Sequence, residues 1–228
     1  REKAELDAAV FQNQISLLLS VHRECANAID WWAVESSSEP QPGWVDTRRS
    51  QQLYAELNSL QPTGIERLFG SSGRRQQLEQ DLAQALAAEQ QEVHRVHAEH
   101  MDALEHWRYL VALAQLVVVG DFRAYERVIE DSGCLDELAE YGCRAGYELV
   151  TPDVMAVSLT VSGPEVVPDE ERGVSASGKA TSKRMPATRR MEIYQDYVCG
   201  AALRAARELM AVLPVRGVLV HVASSILN

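Results

Sequence analysis

From Arg74 to Val119 the chain carries neither proline nor glycine, and its interior is rich in Ala, Leu, Glu, Gln and Arg. Those residues lose little side-chain freedom in a helix, so the whole stretch reads as one α-helix. At 1.5 Å per residue it would be on the order of 65 Å long, more than the width of a domain this size. Leu78, Leu82, Leu86, Val93, Val96, Leu104, Trp107, Val111, Ala114 and Val118 fall at steps of three, four or their sums, close to a heptad seam, with Glu89 and His100 on or near it. Such a seam must be covered. The expectation is an antiparallel hairpin with the first helix, pairing with another chain, or both.

That first helix is expected over residues 2–34, where Leu6, Val10, Phe11, Leu17, Leu18, Val21, Cys25, Ile29 and Trp32 keep helical spacing and no proline interrupts. The proline- and serine-rich run at 36–43 reads as an exposed loop, and Arg49 to Leu60 as a second helix. Pro62 to Gly73 breaks the pattern again, around a short turn carrying Ile65, Leu68 and Phe69. Gly120 stops the long helix and Asp121 caps the next, which Gly133 ends; a further short turn of helix runs from Leu135 to Tyr141 before Gly142.

Beyond residue 142 the period changes to two. Tyr147–Val150 and Val154–Val161 read as strands joined across Thr151, Pro152 and Asp153, with Met155, Val157, Leu159 and Val161 on one face. Glu165 to Val167 reads as an edge segment, and 172–184 as an exposed glycine-broken strand or a loop. Pro186 and Thr188 open a last helix, Pro214 closes it, and Val218, Val220 and Val222 alternate as in a buried strand. The fold class is therefore α+β: an N-terminal long-helix hairpin or coiled-coil region over 1–142, then a small β-β-(β)-α-β domain over 143–228. The chain opens on Arg1 rather than methionine and stops just after a strand, which reads as a fragment with a further strand to follow.

Composition bounds the partners. A net charge of −11 argues against sequence-independent nucleic-acid binding by the surface as a whole. Cys25, Cys134, Cys143 and Cys199 have no short paired spacing, and no apolar run reaches the length of a membrane span, so a cytoplasmic protein with reduced thiols and no membrane contact is expected. His94, His97, His100 and His106 crowd one helix among carboxylates, but they lack the i, i+4 alignment of a metal pair and read as a solvated face; no metal or cofactor is implied.

Three groups of residues remain as candidates. Trp31, Trp32, Trp44 and Trp107 are interface material, since large aromatics dominate contact surfaces. Arg172, Lys179, Lys183, Arg184, Arg189 and Arg190 form a basic stretch without an acidic residue, suited to a phosphate-bearing partner, to the protein's own acidic helices, or to guarding an edge strand. Asp153, Glu165, Asp196 and Arg204 are pocket candidates; separately, Asp153, Glu165 and Asp169 in a β-β-α-β order invite comparison with metal-dependent nucleases, although no Glu-x-Lys or Asp-x-Lys strand motif follows.

Lys183-Arg184-Met185-Pro186, Ile193 to Gly200, and Ala205 to Pro214 resemble the C-terminal part of a group of uncharacterised bacterial proteins with a long helical region ahead of a small α/β domain. The resemblance implies architecture and a bacterial source, and brings no activity. The functional expectation is a binding or assembly protein whose helical region forms a homodimer or grips another protein. The alternative is a nucleic-acid-acting enzyme or accessory using the 172–190 segment.

Overall fold

The computed structural model describes residues 2–60 and 72–224; the expected turn around Ile65, Leu68 and Phe69 lies outside them. The fold is α+β. Its elements are α1 (Glu2–Ser20), α2 (Trp31–Glu35), α3 (Arg48–Ser59), the long α4 (Ser72–Val118), α5 (Phe122–Ser132), a 3-10 turn (Asp136–Tyr141), β1 (Arg144–Thr151), β2 (Val154–Val161), a second 3-10 turn (Pro164–Val166), β3 (Glu170–Val174), β4 (Ala180–Arg184), α6 (Ala187–Val212) and β5 (Gly217–Ser224).

The chain divides into two compact units, Arg1–Glu35 with Ala112–Asn228, and Ser36–Val111. This is not the expected division at 142/143. The reason is burial: Ile15, Leu18, Ala114, Val117, Val128 and Leu138 sit in the same apolar cluster as Met155 and Leu209, so α1, the last turns of α4, and α5 build the core of the sheet.

In that unit β2 is the middle strand, antiparallel to β1 and parallel to β5. Parallel neighbours need a crossover, and α6 supplies it. The register aligns Leu149, Met155 and Val218, then Tyr147, Val157 and Val220, on the face that α6 covers with Ile193, Tyr197, Ala201, Ala205 and Leu209. The segment expected as an edge strand at 165–167 lies in and just after the 3-10 turn Pro164–Val166, and 170–184 close into a separate hairpin, β3 with β4. Its antiparallel register sets Glu170 opposite Arg184 and Glu171 opposite Lys183.

The first helix stops at Ser20, well short of residue 34. Neither proline nor glycine marks the break; the C-terminus of α6 does. The last carbonyls of a helix lack intrahelical partners. Ile29 N–H donates to Ala211 O at 2.8 Å and the Trp31 indole to Val212 O at 2.7 Å, so this segment exchanges its own helical bonds for those of α6. Accordingly α1 packs against α6, β3 and β4, and is not the hairpin partner expected for the long helix.

The joints between elements follow the expected punctuation. Asp121 caps α5 by accepting from Ala124 N–H at 2.9 Å, and Gly133 and Gly142 close their turns in the left-handed region. At Gly120, φ is +79° and an added Cβ would stand 2.7 Å from Pro152 Cβ. Left-handed backbone and a rigid proline ring act together there, so Gly120→Ala is expected to destabilise this unit by about 2–4 kcal/mol, read from the shift of its urea midpoint.

In the 36–111 unit the long helix has its hairpin partner in residues 36–60. The Trp107 indole donates to Ser37 Oγ at 3.0 Å, Val96 lies against Gly43, and Ser50 N–H donates to Glu89 Oε1 at 3.3 Å, so the segment runs antiparallel to α4. The side it covers carries Leu78, Leu82, Ala85, Glu89, Glu92, Val96, His100, Leu104 and Trp107. Two residues of the expected seam, Leu86 and Val93, lie about 100° away around the helix and are exposed. Near the bend into α3, Arg48 forks onto Asp46 and holds its carboxyl down at about 2.

Candidate functional site

The four tryptophans divide. Trp31 is 3% exposed, a core residue that closes α6, and therefore not interface material. Trp107 is half-buried on Ser37, whereas Trp32 and Trp44 are 57% and 74% exposed.

The basic stretch is answered largely from within. Arg189 pairs with Glu171 at 2.8 Å, and Arg190 pairs with Asp169 at 2.5 Å while donating to Pro164 O and Val167 O. Lys183 and Arg184 stand opposite Glu171 and Glu170 in the hairpin, and Arg172 lines a groove with Asp7, Asp169 and Glu170. Lys179 sits in the turn, where Ser175 N–H donates to its carbonyl at 2.8 Å.

Asp153, Glu165, Asp196 and Arg204 are not brought together. Asp153 O accepts from Arg216 N–H and Gly217 N–H at the start of β5, and its carboxyl faces Arg216 at 3.9 Å. Glu165 folds back onto Gly163 N–H at 3.0 Å, and Asp196 is exposed on α6. Among the described residues no three His, Cys, Asp or Glu side chains group as metal ligands, and no helix is long and apolar enough to cross a membrane.

Arg204 alone is fully buried, at 1% exposure, and it organises a cluster the sequence reading missed. Its Nε donates to Glu208 Oε1 at 3.3 Å, Nη2 pairs with Glu137, and Nη1 stands 3.6 Å from Glu24, while the guanidinium lies 5.3 Å from the centre of the Tyr141 ring. Glu208, 2% exposed, accepts Ala26 N–H on its other oxygen at 2.9 Å. Burial works against the Arg204 charge, but the hydrogen bonds it donates to Tyr141 and Glu208, with their charges, more than offset it and hold its pKa above the ordinary value. Tyr197, beneath, donates to Tyr141 O at 2.6 Å, and burial lifts its phenol far above the usual range.

A cavity of about 310 Å³ opens above this cluster, lined by Glu24, Cys25, Cys134, Glu137 and Glu208. Burial raises both thiols, and the Glu208 charge raises them further. A raised pKa disfavours the thiolate, the nucleophilic form, at both positions. The cluster is chemically a clamp: one guanidinium gathers carboxylates from the loop after α1, from the 3-10 turn and from α6. The signal for it was in the sequence, because Arg204 and Glu208 are four residues apart on the otherwise apolar stripe of α6.

In the 36–111 unit a second stripe lies one residue on from the covered one: Leu86, Gln90, Val93, His97 and Met101, at steps of four, three, four and four. Its three apolar members are 46%, 51% and 46% exposed. Beside it Arg95 is closed onto Glu92 and Glu99, both at 2.5 Å, so one guanidinium offsets one of two carboxylate charges on that flank. Compared with known proteins, the chain matches no family model, no curated protein and no solved structure.

Proposed function

We propose that the protein is an assembly module whose 36–111 arm pairs with a second copy of itself through Leu86, Val93 and Met101. One observation carries the reading. The long helix bears two apolar stripes about 100° apart; residues 36–60 cover the first, and the second is left with its large side chains in water. Spacing by threes and fours is what helix-to-helix packing requires, and Gln90 and His97 within the stripe would fix register at some cost in strength. Arg95 offsets one of the two carboxylate charges beside the stripe and so lowers the repulsion between two acidic copies. Four free thiols, two of them held protonated beside the Arg204 clamp, accord with a bacterial cytoplasmic setting.

Light scattering of the purified chain at micromolar concentration is expected to give a dimer. Leu86→Asp with Val93→Asp should weaken it at least about tenfold while leaving the far-ultraviolet circular dichroism and the melting temperature in place. A wild-type monomer at that concentration would overturn the reading. The nucleic-acid alternative loses support from the hairpin, whose carboxylates already face most of the basic side chains it would need.

A further inference from the structure

Between α5 and β1 lies a groove of about 550 Å³, lined by Ile129, Glu130, Leu135, Asp136, Arg144 and Tyr147 among others. Ile129 and Leu135 are buried in its floor, and Ala145 and Tyr147 rise half-buried from the strand. Its strand side is an edge: among the described residues β1 pairs only with β2, so alternate N–H and C=O groups along its other side point away from the sheet. Natural edges are usually guarded by proline, lysine or a cover. Here Gly146 occupies the middle of the strand, and nothing stands within 4 Å of where its Cβ would be.

The helix side is acidic. Glu130 and Asp136 line the groove, and Glu126 stands one turn before Glu130; none of the three has an ion-pair partner among the described residues. Their field reaches the groove: burial raises the Tyr147 phenol first, then the charges of Glu130 and Glu126. Among the described residues that line the groove, Arg144 alone carries the opposite charge.

We propose that this groove binds an extended, basic segment of another polypeptide as an added strand on β1. Backbone hydrogen bonds to the open edge supply sequence-independent attachment. Every second side chain of the added strand falls on the Ala145 and Tyr147 face; there apolar ones seat over Ile129 and Leu135 and lysine or arginine reaches the carboxylates of α5 and the turn, while the side chains between them point to the opposite face. The site shares no residue with the arm stripe, so the two readings stand or fall separately.

The probe is a capped, fluorescently labelled octapeptide in which threonine alternates with valine and lysine in turn, Thr-Val-Thr-Lys-Thr-Val-Thr-Lys, so that valine and lysine share one face; it is titrated into the full chain and followed by anisotropy. Binding is expected to weaken with salt and to slow amide exchange in 144–150. Glu126→Gln with Glu130→Gln is expected to lower affinity at least about tenfold without moving the melting temperature. The same peptide with glutamate in place of lysine, and one N-methylated at every second backbone nitrogen, are expected not to bind. The proposal is overturned if the lysine peptide fails to bind at millimolar concentration, if the N-methylated peptide binds equally well, or if protection appears on another element. It is likewise overturned if β1 amides become protected with rising protein concentration alone, since the occupant is then a second copy.

Discussion

Glu208→Ala is expected to cost the sheet-containing unit about 3–5 kcal/mol, measured as the loss in unfolding free energy from urea titration. The argument is asymmetric. Arg204 is out of water, and Glu208 is the only one of its three carboxylate partners that is itself buried; Glu24 and Glu137 stand with side chains 73% and 67% exposed. Truncating Glu208 leaves the guanidinium with partners that water screens, and it orphans Ala26 N–H at the same time. Removing both charges is a different matter. Arg204→Met with Glu208→Leu is expected to fall close to wild type or above it, because desolvation then has nothing to act on. A single-variant loss under about 1 kcal/mol would assign the compensation to the exposed pair instead.

Trp31→Ala is expected to cost about 3–5 kcal/mol by the same measurement. It removes a side chain packed into the main core and the indole bond that closes the C-terminus of α6. Trp31→Phe separates the two contributions, and should cost about 1 kcal/mol for the bond to Val212 O alone. Trp44→Ala, on a side chain 74% exposed, should stay within about 0.5 kcal/mol of wild type. Equal losses at Trp31 and Trp44 would show that the assignment of one to the core and the other to the surface is mistaken.

Local chemistry was legible in the sequence and long-range contact was not. Gly120, Asp121, Gly133 and Gly142 mark their joints because left-handed backbone and cap bonds depend on neighbours a few residues away. The long helix and the last helix with its strand follow from period and proline placement in the same way. The end of α1 at Ser20 had no such marker, since its cause sits at Ala211 and Val212. The seam of α4 was misread at Leu86 and Val93 because size suggested a leucine and a valine inside, whereas the segment at 36–60 covers Ala85, Glu89 and Glu92. At the clamp, Arg204 stands out in the sequence as a pocket candidate, but its buried partner is Glu208 one turn after it, which is not among those candidates. The basic stretch looked unopposed because its counter-charges, Asp169, Glu170 and Glu171, lie just before its first residue.

The segment that closes α6 comes from the first 35 residues, and the helix it closes comes from the last 45 or so. During synthesis the ribosome therefore releases Ile29 and Trp31 long before the carbonyls they serve exist. Residues 36–111, by contrast, contain both sides of their own hairpin and can close as soon as they emerge. The order of birth is thus arm first and sheet last, and until β3, β4 and then α6 emerge, the side of α1 that they cover stays open in the nascent chain.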